Sequence, residues 1–308
     1  RNQHINYTNI CNKFCKFCSF YAKKGGPAPY EMSLDEVRRR LEWHKDQPLT
    51  EIHMVAGINP RLKYDYYLDL VRTVKEARPG VHVKAFTAVE IVQIAQVGKV
   101  TVEQALADLI EAGLDSLPGG GIEILSDRVH RELFGKKLDG EEWKQVARAA
   151  AKLGLAQYAT MLYGHIETDE ERVDHLLALR QQQDLTGGFS AFIPLAFHSQ
   201  NTKLTSRGAT TALDDLRVMA ASRLLLDNFP HIKAYWVMLG EKLAQVETFG
   251  DVVRPPVARP RPRYNKKALH LELQEIALKL GRLPTQEDVR QMSRYGLKPF
   301  LEAFPTWG

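Results

Sequence analysis

Seven short runs of β-branched and aromatic residues recur between Gln3 and Leu239, and most are followed by a segment that carries helix-start signals. The runs are Gln3 to Ile10, Glu51 to Ala56, Val81 to Thr87, Leu114 to Leu117, Leu155 to Leu162, Phe189 to Ala196 and Ile232 to Leu239. Helical patterns fill the gaps: one opened by Ser33, then Tyr64 to Ala77, one from Thr101, Ser126 to Leu133, Gly140 to Leu153, Thr168 to Asp184, and Asp214 to Asp227. Ser33 with Glu36, Thr101 with Gln104 and Thr168 with Glu171 have the spacing of a capping box, which satisfies two backbone N–H groups reciprocally. Strands joined by crossover helices run parallel, and a parallel sheet needs helices over it. Seven such units exceed a small open sheet. The expected fold is therefore α/β, a full or partial TIM-type (β/α) barrel, with its chemistry on the loops that follow the strands.

The alternation stops after Gly250. Val253 to Arg263 holds four prolines and reads as an extended linker. Asn265 to Leu280, Thr285 to Met292 and Leu297 to Phe304 read as three short helices, the second capped by Thr285 with Asp288. The expected domains are residues 1–250 (barrel), 251–264 (Pro/Arg-rich linker) and 265–308 (a small helical segment). The net charge of +5 is local to this junction. Six of the 42 Lys and Arg residues fall between Val253 and Lys267 with no acid among them, and the rest of the chain is nearly balanced. A nucleic-acid footprint spread over the fold is not expected. No run approaches the ~18 apolar residues of a membrane helix. The chain starts at Arg1 rather than Met, which reads as a start inside a longer product.

All three cysteines, Cys11, Cys15 and Cys18, lie just past the first run. The count is odd and the spacing too tight for a secreted disulfide framework, so a reducing compartment, the cytoplasm, is expected. Three soft ligands suit zinc completed by a histidine, or an iron–sulfur cluster with one iron left open, since electron-carrier clusters take four cysteines. Spacing alone leaves both open, together with plain unligated thiols.

The string Cys11-Asn12-Lys13-Phe14-Cys15-Lys16-Phe17-Cys18, with an aromatic residue before the last cysteine, resembles the C-x3-C-x-aromatic-C signature of radical S-adenosylmethionine (SAM) enzymes. Further strings narrow the resemblance: Asn6-Tyr7-Thr8-Asn9-Ile10, Lys84-Ala85-Phe86-Thr87-Ala88-Val89-Glu90, Leu117-Pro118-Gly119-Gly120-Gly121, Thr160-Met161-Leu162-Tyr163-Gly164-His165-Ile166-Glu167-Thr168 and Phe192-Ile193-Pro194-Leu195-Ala196-Phe197-His198. Residues 1 to about 250 are similar to the radical SAM enzymes of the futalosine route to menaquinone, most of all to the aminofutalosine synthase type. The chain departs from that group at Ala56-Gly57, where Gly-Gly is usual, and at Asn59, where histidine is common. Past Gly250 the group's acidic stretch and eighth strand are replaced by Asp251-Val252-Val253 and the linker.

The resemblance implies a 4Fe-4S cluster on Cys11, Cys15 and Cys18, and SAM consumed as a co-substrate. It implies a transferase that adds the 5'-deoxyadenosyl radical to 3-[(1-carboxyvinyl)oxy]benzoate, with an electron donor such as flavodoxin or ferredoxin. The basic linker is a candidate contact for an acidic donor of that kind. A cyclising relative that starts by hydrogen abstraction, as cyclic dehypoxanthine futalosine synthase does, is the alternative. SAM contacts are implied for Phe17, Ala56, Gly57, Thr87, Glu90, Gly119, Gly120 and Glu123, and substrate contacts for Lys84, Tyr163, His165, His198 and Asn201. Lys84, His165 and His198 supply donors for an aromatic acid. Gly119 to Gly121 bring bare backbone to a ligand, and Glu123 is an acceptor for hydroxyl or ammonium groups.

Overall fold

A six-stranded, wholly parallel sheet in sequence order organises the first part of the chain. Its strands are β1 (Asn2–His4), β2 (Glu51–Met54), β3 (His82–Ala85), β4 (Ser116–Leu117), β5 (Ala156–Tyr163) and β6 (Phe189–Ala196). In the computed structural model, residues 1–308 are described except 24, 135–136, 205–208, 241–243, 245–265, 281, 294–299 and 302–308. The helices are α1 (Leu34–Trp43), α2 (Tyr64–Ala77), α3 (Ala88–Gly98), α4 (Val102–Ala112), α5 (Asp127–Leu133), α6 (Gly140–Lys152), α7 (Asp169–Thr186), α8 (Ala212–Leu225) and the short α9 (Trp236–Leu239). The chain separates into two units, Arg1–Val252 and Val253–Gly308. In the second, α10 (Lys266–Leu280) and α11 (Gln286–Met292) share a small core of Leu269, Ile276, Val289 and Phe300. The Pro/Arg-rich linker and most of the expected helix Leu297 to Phe304 lie outside the described residues.

Alternation along each strand sorts side chains onto two faces. Ile52, Met54, Val83, Ala85, Ala159, Met161 and Phe192 join Val37, Leu41, Leu70, Val71, Ile91, Leu109 and Val146 of the helices in one core. The opposite, inner face of β2, β3 and the start of β5 carries Glu51, His53, His82, Lys84 and Tyr158. Such a sheet, apolar outside and polar inside, is an open half-barrel with a lumen.

Three sequence expectations are corrected. The run Ile232 to Leu239 is not a strand: it makes one parallel bridge, Ile232 with Phe192, and then turns into α9. Phe192 uses both its N–H and its C=O on that side, toward His231 and Lys233. The next β6 residue facing the same way is Pro194, which has no N–H to continue the ladder. The second correction is α3, which lies between the third strand and the helix expected from Thr101 and is opened by Thr87 with Glu90 in a capping box. Finally, Thr101 caps α4 through the Gln104 N–H, but the Gln104 side chain bonds Asp108 rather than closing a box.

Thr168 and Glu171 form both halves of a capping box at the start of α7. Thr168→Ala is expected to cost about 1 kcal/mol, a fall of about 2–4 °C in Tm for a chain of this size, read by thermal denaturation.

Candidate active site

The chain leaving β1 passes Tyr7, Thr8 and Asn9, all fully buried, before it reaches the cysteines. Asn9 accepts from the Tyr30 N–H and donates to the Ala28 carbonyl, and its own carbonyl accepts from the Ala22 N–H. One side chain thus holds both ends of the cysteine-bearing loop. Gly57 supports the loop from behind: a Cβ there would lie 2.3 Å from the Ile10 carbonyl oxygen. The Gly57 N–H donates to Thr8, and the Asn12 N–H donates to Ile58.

Glu90 ties this arrangement together. Its carboxylate is 2% exposed and accepts four hydrogen bonds: Tyr7 Oη at 2.7 Å and the Ala56 N–H at 3.0 Å on one oxygen, the Thr87 N–H at 2.7 Å and Thr87 Oγ1 at 2.8 Å on the other. Burial pushes its pKa up against these donors. The loops after β1, β2 and β3 meet on one side chain. The loop after β4 follows, as Gly119, Gly120 and Gly121 all take φ values near +80 to +90°. A Cβ on Gly119 would stand 2.7 Å from the Tyr158 carbonyl, and one on Gly121 would press on Val89.

Cys15 is buried, and Cys11 and Cys18 are half-buried; none is in a disulfide. Cys15 packs with Ile124, Val129, Leu133 and Phe134, flanked by Phe17 and Cys18. Phe17 lies edge-on to Phe134 at 5.2 Å, and Lys137 Nζ sits over both rings. Lys137 is also paired with Glu123 at 2.6 Å, with both side chains almost wholly buried. Burial pushes the Cys15 thiol up to about 11 against the opposing charge of Lys137. The cysteine loop is anchored at its far side too: the Lys16 N–H donates to Leu133, and the Lys203 N–H, from the loop after β6, donates to Lys16.

After β5 the chain turns at Gly164. The Glu167 side chain, fully buried, accepts from the His165 N–H at 2.9 Å and pairs with Arg172 at 2.6 Å. Burial raises the Glu167 pKa, but His165, the Gly164 N–H and Arg172 outweigh it and bring it to about 2. The His165 ring is 2% exposed and edge-on to Phe197. Its Nδ1 lies 2.9 Å from a Glu167 carboxylate oxygen and 2.8 Å from the Ile166 nitrogen, and its Nε2 is buried without a partner among the described residues.

The structure separates the residues singled out from sequence. Cys11, Cys15, Cys18, Phe17, Gly119, Gly120, Glu123 and His165 come together on adjoining loops. Ala56, Gly57, Thr87 and Glu90 also reach this end, but their hydrogen bonds and packing face one another and the cysteine loop, so they position the loops. Tyr163 points the other way: its hydroxyl donates to Asp215 of α8 at 2.7 Å, in the helix layer. Its place in the strand alternation puts it outside the lumen, which corrects the expected substrate contact. His198 is exposed and bonds the Met238 carbonyl, while the Asn201 carbonyl accepts from Lys23. Lys84 lies deeper in the lumen, paired with Glu51 at 2.8 Å. Tyr7, Asn9 and Lys137 were missed. Tyr7 and Asn9 stand in the string that precedes Cys11, which was the available signal.

Comparison with known proteins decides the family. Residues 5–179 match the model described as the radical SAM superfamily, and residues 186–252 match the CofH/MqnC C-terminal region. The chain belongs to the radical SAM superfamily. It is 44% identical to the aminodeoxyfutalosine synthase of Thermus thermophilus, over 92% of this chain and 80% of that one. It is 38% identical to the cyclic dehypoxanthine futalosine synthase of Halalkalibacterium halodurans, over 79% of this chain and 66% of that one. Its fold is that of methylornithine synthase, with TM-score 0.65 and 15% identity, covering 92% of this chain and 82% of the other. Enzymes of this superfamily use a 4Fe-4S cluster and SAM.

The residues present fit that cofactor. The three thiols share one loop and lie close enough that Cys11 and Cys18 act electrostatically on Cys15. Three soft thiolates on one loop are the donor set that holds a 4Fe-4S cluster with one iron left open.

Two outcomes are expected. Gly57→Ala displaces the loop through the Ile10 carbonyl, so iron bound after anaerobic reconstitution falls several-fold while far-UV circular dichroism is retained. A Glu with its folded pKa depressed to about 2 contributes stability that is fully present above its unfolded pKa near 4.3 and is lost as pH falls through 2, about 3 kcal/mol in all. The Tm advantage of wild type over Glu167→Gln is therefore expected to shrink steadily between pH 4.5 and 2.

Proposed function

We propose that this chain is an aminodeoxyfutalosine synthase, joining the 5'-deoxyadenosyl group of SAM to 3-[(1-carboxyvinyl)oxy]benzoate in menaquinone biosynthesis. The products are 6-amino-6-deoxyfutalosine, methionine and the lost carboxylate as CO2 or bicarbonate. Reduced flavodoxin or ferredoxin supplies the electron, in the cytoplasm. The observation that carries this reading is 44% identity over nearly the whole chain to an enzyme of that name, against 38% over a shorter span to the cyclising relative.

When bound, the cluster and SAM supply a 5'-deoxyadenosyl radical by reductive cleavage of the sulfonium. The work of the protein is to hold, orient and exclude water. Cys11, Cys15 and Cys18 would hold the cluster, with the fourth iron open to SAM. Gly119 to Gly121, whose backbone lies beside Thr87 and Val89, offer a surface without side chains for the nucleoside. His165 stands on the loop after β5 with Nδ1 beside the Glu167 carboxylate and its buried Nε2 without a protein partner among the described residues, an atom left free to bond a bound molecule. Glu167 and Arg172 keep that ring in place. Lys84 supplies a positive charge within the lumen for an anionic substrate.

The test is anaerobic incubation of iron-reconstituted protein with dithionite, SAM and 3-[(1-carboxyvinyl)oxy]benzoate, read by mass spectrometry. The expected product has the mass of adenosyl addition with loss of the carboxylate. Methionine and 5'-deoxyadenosine alone, with the benzoate recovered intact, would overturn the substrate assignment.

A further inference from the structure

Parallel register places His4 beside His53, His53 beside Lys84, and Lys84 beside Ser116, in one row across the inner face of β1 to β4. The two imidazoles are stacked, with centroids 4.6 Å apart and planes within 4° of parallel. Lys84 is paired with Glu51 and stands 4.7 Å from the centre of the Tyr158 ring. Lys233 joins them from the other side of the lumen, just past the Ile232 bridge, with its ammonium over the Tyr235 ring at 5.8 Å.

Charge is not balanced in this row. Two ammonium groups share one carboxylate, and among the described residues neither imidazole nor the Lys233 ammonium has a hydrogen-bond or ion-pair partner. Burial, His4, Lys84 and Lys233 all disfavour protonation of His53 and bring it to about 3, so its ring is neutral, while burial and Lys84 lower Lys233; Glu51 alone opposes. The imbalance is therefore that of the two ammonium groups against Glu51, and an anion entering beside Lys233 and the neutral imidazoles relieves it.

We propose that His4, His53, Lys84 and Lys233 form a subsite for the ring carboxylate of an aryl acid, set in the lumen below the cluster loop. The proposal rests on the reading of the substrate given above and adds which end of that molecule goes where. His53 lies three residues before Ala56, and Lys84 three before Thr87. At ~3.3 Å per strand residue the row is about 10 Å below the loops. That depth suits a meta-substituted benzoate held by its ring carboxylate, with its enol ether directed up toward the cluster loop. Alternation lines the wall between with Tyr158, Thr160, Leu162 and Ile193. Leu162 and Ile193 are buried yet stand outside the helix-packed core, and the Thr160 hydroxyl is buried without a partner among the described residues. Such a wall suits a ring between two polar ends.

The test uses 3-methoxybenzoate and its uncharged analogue 3-methoxybenzamide as probes, binding to reconstituted holoenzyme with SAM, measured by titration calorimetry. Wild type is expected to prefer the acid about tenfold or more, as a charge-assisted contact requires. Lys233→Met is expected to abolish the preference and Lys233→Arg to restore it. Equal binding of acid and amide by wild type, or a preference retained in Lys233→Met, would overturn the subsite. A wild type that shows the preference but makes no aminodeoxyfutalosine keeps the subsite and removes the substrate assignment. Product formation without the preference does the reverse.

Discussion

A single buried carboxylate, Glu90, sets the geometry on which the rest of this structure depends. A carboxyl group so far from water is tolerated only when its oxygens are filled, and here four donors from three different loops fill them. The donors are as constrained as the acceptor. Tyr7 Oη, the Ala56 N–H and the Thr87 N–H would each be stranded without Glu90, so the loops after β1, β2 and β3 keep a common position. The cysteine loop begins four residues after Tyr7 and inherits that position through Asn9 and Gly57.

From this clamp the loops form a circuit that the strands do not. Loop four lies against Val89 through Gly121, and the Leu162 N–H donates to the Glu123 carbonyl. The Phe197 N–H donates to Tyr163, and Lys203 returns to Lys16 beside Cys15. The sheet is open beside β6, where Pro194 ends the ladder begun at the Ile232 bridge, while the loops at its upper rim are joined all round. An open lumen under a closed rim admits a substrate from one side and holds the thiols rigidly at the other, which radical chemistry needs if water is to be kept from the reacting carbon.

Much of this was legible in the sequence. The strand–helix alternation carries the parallel sheet, because local signals such as Ser33 with Glu36 and Thr168 with Glu171 are short-range and survive folding unchanged. The spacing of the three cysteines makes them candidate soft-metal ligands, and the aromatic residue before the last carries the resemblance to the radical SAM signature. Other features depend on tertiary partners. Thr87 and Glu90 read as SAM contacts after the third strand, with helix capping as the alternative, and nothing local shows that Glu90 also reaches Tyr7 and Ala56. Tyr163 fell on the wrong face because one residue of phase decides lumen or helix layer. The row of His4, His53 and Lys84 exists only in register, between residues far apart in the chain. Lys233 joins it only because the seventh run stops at a single bridge.

On this geometry the rim would hold a cluster with one iron open to SAM. The measurement is electron paramagnetic resonance of the anaerobically reconstituted, dithionite-reduced protein, recorded before and after SAM is added. A reduced 4Fe-4S signal whose g-values shift on adding SAM is the predicted result. A signal unchanged by SAM, or stoichiometric zinc with no cluster signal, would contradict it.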